Sequence, residues 1–557
     1  MIEESLYDLD FVRDWTTAPF LIRSDNGNFL KGNDLDGDGD PKHYVALDSN
    51  TGNLMAYAPG STFPSNPRLD SQFEVALDNG KRIECKTAFA KLRERASEFH
   101  PGWSEKITWV PEHALREAVR TFASEKPACM YTWNGIEQST CASQTNRAIC
   151  IFYAMSGDFD KPGANTLLPS PPTNPVVGHD LLDDETAKKR LGYKERPLGP
   201  TGTMGLGQAY DFYQAVMTGK PYPVKALLSI GGNLISTNPD SKTGREAFLQ
   251  LDFHVQSELF MTPSAELADI VLPAASFWES WHVRADFIFP RARGHIQYRP
   301  AVVAPQHESW PDMKFIFELA KRLGVGGKFW NGDIEAGFNF QLAPLNLTVE
   351  KLRNQPGGIT VDLPEGYQKY KNRKPDGTFH GFNSPSRKME IYSQIFKDFG
   401  YDPLPKWEPP LFLRKDKHFD PKKYPLILTS GKLLQYCHSE HRAIPSLRKA
   451  VPHPYVEIHP HRATELGIQS GEWVFLETPF GSITVKARLT DTIHSRVVST
   501  QHGWWHGCEA LNLPGYDPYS SKGANLNLIL SAEEIDPISG SLPMRGYPCR
   551  VGKKEMQ

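Results

Sequence analysis

Between residues 424 and 501 the chain breaks into short runs, "YPLILTS", "YVEIHP", "WVFLETPFGSITVKARLT" and "RVVSTQ". In these runs apolar residues alternate with polar ones or continue unbroken, the signature of strands. Only one short helical segment, "PHRATELG" closed by Gly467, interrupts them. Successive short strands of this kind specify a β-barrel with its own core. Residues 108–273 are patterned differently, with helical runs between strand-like ones. "TWVPEHALREAVRTFASE" places Pro111 at a helix start and Leu115, Ala118, Val119 and Phe122 on one face. "ACMYTW" (128–133) reads as a buried strand and "SQTNRAICIFYAMSG" (143–157) as a helix stopped by Gly157. A second set runs from a buried strand at 224–230 through a Gly-Gly-Asn turn, a helix at 239–250, a strand at 252–257 and a short helix to a strand at 269–273. This alternation specifies an α/β, doubly wound parallel body ahead of the barrel.

The remaining stretches bound the answer further. Residues 20–60 read as hairpins punctuated by Asn-Gly, Asp-Gly and Thr-Gly turns. "DLDGDGDPKHYV" places Asp34, Asp36 and Asp38 as in a calcium loop, but Val45 stands where the bidentate Glu belongs, so it reads as an acidic hairpin loop. Residues 325–420 are rich in Gly, Pro, Asn and Lys and read as irregular crossing segments, with a linker at 403–410. The 62 Lys and Arg against 65 Asp and Glu give a net charge of -3, which supplies no basic footprint for nucleic acid. No apolar run approaches the roughly 20 residues that span a bilayer. Seven dispersed cysteines without a C-x-x-C pair argue against a disulfide framework or a zinc ribbon, and read as mostly buried, reduced thiols. The opening "MIEESLYDLDFVRDW" lacks signal-peptide character and reads as the end of a helix already under way.

Candidate binding residues fall in three groups. In "SIGGNLISTNPDSKTG" a strand runs into Gly231-Gly232-Asn233, and Asn238-Pro239 reads as the N-cap and first position of the next helix. Glycines let a ligand approach the backbone and a helix start offers free N–H groups, as a diphosphate requires; the alternative is a plain turn. Gln256, Glu258 and Thr262 lie just beyond a strand's carboxyl end, where open α/β sheets bind ligands, and Asp269 offers a carboxylate suited to a base such as guanine. Toward the C-terminus, "QYCHSEHR" gathers Cys437, His438, Glu440 and His441, an apparent zinc cradle. Without H-E-x-x-H, the rival reading is an anion-binding loop using His438, Ser439 and Arg442. "QHGWWHG" sets Gly503 between His502 and Trp504, suiting a flat heterocycle or core packing, and "GANLNLIL" reads as a strand with Asn525 and Asn527 on one face.

Taken together these stretches resemble the molybdopterin oxidoreductases of the dimethyl sulfoxide reductase family over nearly the whole chain. "WNGIEQSTCASQTNRAICIFYAMSGDFDKPGANTL" is similar to a family segment through Gly135, Gln138, Asn146, Gly157, Pro162 and Gly163. "GGN" with "MTPSAELADIVLPAASFWES" resembles its dinucleotide-binding segment. "LTSGK", "YCHSEHR", "VEIHPHRATELGIQSGEWVFLETPFGSITVKARLT", "HGWW" and "NLN" resemble its C-terminal barrel. The details lean toward the branch of thiosulfate and polysulfide reductases and acetylene hydratase.

The resemblance implies two molybdopterin guanine dinucleotides around one molybdenum or tungsten, and a double-psi β-barrel closing over them. Cofactor roles are implied for Gly135, Gln138, Asn146, Gly232, Asn233, Gln256, Glu258, Thr262, Asp269, Gly431, His438, Ser439, Arg442, His502, Gly503, Trp504, Asn525 and Asn527. Gln138 and Asn146 are placed nearest the metal. An iron–sulfur cluster on four cysteines and a Cys, Sec, Ser or Asp metal ligand are also implied, and both are expected upstream of Met1. The implied domains are therefore 1–125, an incomplete α/β remainder with a hairpin insertion; 126–345, the α/β dinucleotide-binding domain; 346–420, a crossing segment and linker; and 421–557, the dinucleotide-binding barrel. The expected partners are a small-molecule substrate, an iron–sulfur electron-transfer subunit and a chain supplying the N-terminal region. A non-catalytic cofactor-binding subunit and a zinc hydrolase are the alternatives, and the sequence leaves cytoplasm or periplasm open.

Overall fold

The computed structural model describes residues 1–178, 181–285, 294–363, 366–414 and 419–553. By packing, the chain forms two units that interleave along the sequence. The first takes residues 1–133, 144–169 and 364–407, and the second 134–143, 170–363 and 408–557.

In the first unit, β1 (Leu21–Arg23) pairs antiparallel with β5 (Arg82–Thr87), and β5 with β4 (Gln72–Ala76), while β2 (Tyr44–Leu47) and β3 (Leu54–Tyr57) form a hairpin. Phe20, Phe29, Tyr44, Tyr57, Ile151 and Met155 share its core. The helix Ala142–Met155 ends before Gly157, whose φ of 70° and approach to Asp8 leave no room for a Cβ. The N-terminal helix, read from sequence as already under way, starts within the chain: Asp8 caps Leu9–Trp15 by accepting from Phe11 N at 2.8 Å. Asp34, in a short helical turn, accepts from Lys31 N at 2.8 Å and pairs with Arg23. Residues 128–133 form no strand, and Tyr131 and Trp133 are exposed. The apolar composition of that stretch suits a ladder, but the described residues supply it no neighbouring strand.

The second unit holds a parallel sheet of β6 (Ala226–Ile230), β7 (Phe253–Glu258) and β8 (Ile270–Pro273), in that order. One face packs on Tyr213, Ile235, Ala247 and Phe248. The other leaves Leu228, Ile230, Phe253 and Ile270 exposed, so the run read as a buried strand at 224–230 is covered on one side. β9 (His282–Ala285), β10 (His295–Arg299) and β11 (Ile359–Thr360) form a separate antiparallel sheet. Among the described residues no helix is long and apolar enough to cross a membrane.

The C-terminal region is a closed six-strand barrel. Its strands are β12 (Leu426–Ser430), β13 (Tyr455–Ile458), β14 (Trp473–Thr478), β15 (Gly481–Leu489), β16 (Val497–Thr500) and β17 (Tyr547–Lys553), in the order β12-β16-β13-β15-β14-β17. Val456, Ile458, Val474, Leu476, Ile483, Val485, Val498 and Val551 fill it, on alternate positions as a period of two requires. β17 closes the barrel and was not read from sequence, because Pro548 removes a ladder donor and marks a strand interior as broken. β12 and β16 run parallel with Ser430 opposite Thr500, and β17 runs antiparallel with Tyr547 opposite Leu428. The segments after β12 and β16 and the segment before β17 therefore leave the barrel at one rim.

Candidate functional site

Gly231-Gly232-Asn233 follows β6 as the sequence places it. The backbone turns at Gly231 with φ 62°, and around Gly232 only Ser229 Oγ stands near where a Cβ would lie. A ligand can approach this backbone closely. The helix beyond differs from expectation. Asn238 closes a four-residue turn, Leu234–Thr237, and the following helix begins at Ser241. Its N-cap is Asp240, which accepts from Thr243 N at 3.2 Å. Asp240, not Asn238, is the cap because its carboxylate reaches the N3 amide. Asp240 occupies the N3 amide and Ser241 is buried, so this helix start lies two residues beyond the position read from sequence.

Buried hydrogen bonds join this turn to the sheet and to the barrel. Gln256 Nε2 donates to Gly232 O at 2.9 Å, and His254 Nε2 lies 3.2 Å from Gln256 Oε1. Asn233 Oδ1 accepts from Ser264 Oγ at 3.3 Å, and its Nδ2 donates to Ser439 Oγ at 3.2 Å. The last bond joins two groups that lie far apart in the sequence, the Gly-Gly-Asn turn and the loop holding Ser439. Glu258, half-buried, accepts from Leu259 N at 2.8 Å, and burial raises its pKa. Thr262 Oγ1 accepts from Ala265 N at 3.2 Å. Asp269 is exposed and accepts from His254 N at 2.7 Å, so one oxygen pins β7 to β8.

The loop 436–442 meets the turn after β16. Gly503 (φ 81°) lies so close that a Cβ would stand 2.6 Å from His438 O. Arg442 is buried, and its guanidinium donates to the carbonyls of His438, Glu440 and His502, the last at 2.7 Å. It staples the loop and does not present the fork to solvent that phosphate binding requires. Burial pulls its pKa down to about 10. Trp504 is likewise inside, edge-on to Tyr436 at 5.6 Å and to Tyr516 at 6.0 Å. Its ring is core, not a stacking platform. Sequence could not distinguish these roles, because donors and rings serve loops as readily as ligands.

Asn527 lies in a 3-10 turn, Leu526–Ile529, that Asn525 caps, and not in a strand, because Asn525 folds back to accept from Asn527 N at 3.2 Å. Both face inward. Asn525 Nδ2 donates to Ser241 Oγ at 2.9 Å and Asn527 Nδ2 to Ser236 O at 2.8 Å. Asn527 Oδ1 and Ser236 Oγ remain buried without partners, an unmet demand that a polar ligand can satisfy. Gly431 leaves β12 exposed, donating its N–H to Thr500 O at 3.0 Å. Gly135 and Gln138 belong to the same unit as the barrel, where Gln138 O accepts from Met544 N at 3.3 Å. Asn146 lies half-buried on Ala142–Met155 in the first unit.

Among the described residues no three His, Cys, Asp or Glu side chains converge as a metal-binding group. His441 lies beside Glu440, His453 bonds Tyr516, and His506 stacks on Trp505, so the histidine richness is dispersed. Cys85, Cys508 and Cys549 are buried, while Cys129, Cys150 and Cys437 are exposed, so burial holds for fewer thiols than expected.

Burial and the neighbouring Arg442, His438, Lys432 and Arg545 pull the His502 pKa from 6.5 down to about 4. The folded ring stays neutral where the unfolded one protonates. Stability from this group is complete above pH 6.5 and is lost as pH falls toward 4. Urea midpoints measured across that window should fall less steeply for His502→Gln than for the wild type; equal slopes would contradict the assignment.

Residues 66–322 match the molybdopterin oxidoreductase family, and residues 426–548 match the molydopterin dinucleotide binding domain. Dopamine dehydroxylase from Eggerthella lenta is 25% identical, over 99% of this chain and 69% of the relative. Acetylene hydratase from Syntrophotalea acetylenica is 29% identical, over 82% of this chain and 65% of the relative. The structure of acetylene hydratase from Pelobacter acetylenicus matches with a TM-score of 0.72 at 27% identity, covering 84% of this chain and 66% of that one. The chain thus spans 65–69% of the length of these relatives. It belongs to the molybdopterin oxidoreductases of the dimethyl sulfoxide reductase family.

Proposed function

We propose that the chain binds molybdopterin guanine dinucleotide, two per chain with molybdenum or tungsten, as the cofactor-holding part of a catalytic subunit that oxidises or reduces a small molecule. The observation that carries this reading is the buried junction of the Gly-Gly-Asn turn with the 436–442 loop through Asn233 and Ser439. Beside it, Ser236 Oγ and Asn527 Oδ1 lack partners, and an open backbone lies at Gly232. Such a set fits a long polar ligand that needs backbone approach and several hydrogen bonds. Gly232, Asn233, Gln256, Thr262, Ser439, His502 and Asn527 would hold it. When bound, the metal–pterin group supplies two-electron chemistry, and the protein supplies placement and electrostatics.

Metal analysis and acid-released pterin fluorescence on anaerobically purified protein test the reading. Molybdenum or tungsten with guanine-bearing pterin is the expected result. Stoichiometric zinc without pterin would overturn it. Asn233→Ala, which cuts the junction from both sides, should lower retained pterin about tenfold.

A further inference from the structure

The sheet β11-β10-β9 ends on β9, and among the described residues no strand or bridge pairs with its outer edge. Alternate side chains along a strand share a face. In register, His282 stands opposite Arg299 and Arg284 opposite Gln297. With Arg353, these four line an open cavity of about 710 Å³. The set is cationic, and like charges facing one another across a ladder are unfavourable. Burial and the facing Arg299 lower the His282 pKa, while Asp312 opposes them.

The carboxylates on neighbouring segments are already engaged. Glu335 pairs with Arg353 at 2.8 Å, and Glu279 accepts from Ser276 N at 2.7 Å and Gln306 N at 2.6 Å. Asp312 accepts from Ser257 Oγ at 3.0 Å. Arg299 makes no hydrogen bond or ion pair with any described residue, and its guanidinium lies 5.6 Å from the centre of the Phe277 ring. Phe277 begins an apolar shelf. Its ring is 4.7 Å from that of Trp278, whose carbonyl accepts from Val302 N at 2.8 Å. Phe277, Trp278 and Val302 are 55%, 56% and 66% exposed, so an apolar patch adjoins the cationic cavity. Exposed contiguous apolar surface marks a docking face, and Trp and Arg dominate the binding energy of such faces. All of these residues belong to the second unit.

The occupant follows from this chemistry. A small ligand buries most of its own surface in its pocket, whereas these groups stand exposed around an open floor that polypeptide can cover. The outer edge of β9 can take up an extended strand. Its charges disfavour a basic strand and favour one with carboxylates at alternate positions, which project to the face carrying His282 and Arg284.

We propose that the edge of β9, with Arg284, Arg299 and the shelf of Phe277 and Trp278, is a docking surface for an extended acidic segment of a partner protein, with carboxylates at alternate positions and an apolar anchor at one end. The inference stands apart from the cofactor reading.

The probe is a fluorescein-labelled peptide of alternating Glu and Val ending in Phe-Leu, titrated with the full chain at low salt and read by anisotropy. Wild type should bind it. Arg299→Glu and Trp278→Ser should each weaken binding about tenfold, as should Gln for Glu throughout the peptide. The same residues reordered so that the carboxylates are adjacent should bind more weakly than the alternating peptide. Both substituted positions are exposed, and unchanged urea midpoints check that the variants fold. No binding by wild type, or equal binding by wild type and both variants, would overturn the proposal. Free glutarate or a DNA oligonucleotide binding as tightly as the peptide would make this a general anion surface, and self-association of wild type abolished by Trp278→Ser would give the face to a second copy; either result overturns it. Peptide binding is read without reference to pterin content, so it stands or falls separately from the cofactor reading.

Discussion

Replacing Arg442 by methionine should cost about 3–5 kcal/mol of stability and release the 436–442 loop. The side chain is 2% exposed, and methionine nearly conserves its volume, so the loss is of donors and not of packing. The carbonyls of His438, Glu440 and His502 would each lose a charge-assisted bond. A buried acceptor left without a donor costs about 1–3 kcal/mol. Stacking on Tyr436 at 4.5 Å and Trp504 at 5.3 Å would be lost too. Relief of the desolvated charge offsets part of the sum, which is why the expected total lies below the simple addition. Arg442→Lys should rescue little, because one ammonium does not reproduce the planar fork. Urea denaturation and pterin content read the two effects together. A variant within about 1 kcal/mol of wild type, with its pterin retained, would show that the staple is dispensable.

Gly503→Ala should be the most damaging single-methyl change at the site. The residue has φ 81°, a conformation that costs an L-residue about 1–2 kcal/mol. The added Cβ would stand 2.6 Å from both His438 O and Ser439 Cα. Both obstacles are backbone, so no side chain can swing away and the two loops must separate. Displacing Ser439 breaks its 3.2 Å bond from Asn233, which ties the barrel loop to the Gly-Gly-Asn turn. The expected result is destabilisation of about 3 kcal/mol with at least tenfold less retained pterin. Gly471→Ala is the matched control, since that glycine also has a positive φ (87°) but nothing within 4 Å of a Cβ. It should show the strain cost alone and keep its pterin. Equal losses in the two variants would remove the close approach from the explanation.

The elements that local chemistry dictates were legible from sequence. β12 to β16 follow from periodicity, and the Gly231-Gly232 turn sits where glycine and a strand end require it. The misreadings have a common cause. Residues 128–133 have strand composition, but a ladder needs a neighbour. Pro548 disguised β17, which is held in the barrel by β12 and β14 on either side. Asn525 and Asn527 alternate as strand residues do, but a side chain that bonds its own backbone outcompetes the ladder.

The sequence by itself determined five of the six barrel strands, β12 to β16, the Gly231-Gly232 turn and, through the order of its motifs, the family. These depend on residues a few positions apart. Only the tertiary structure decided that Arg442 and Trp504 face inward, and that Asn233 bonds Ser439, 206 residues away. A donor's direction depends on which acceptors folding brings within about 3 Å, and parallel pairing of β12 with β16 sets the barrel's rim across a gap no local pattern spans.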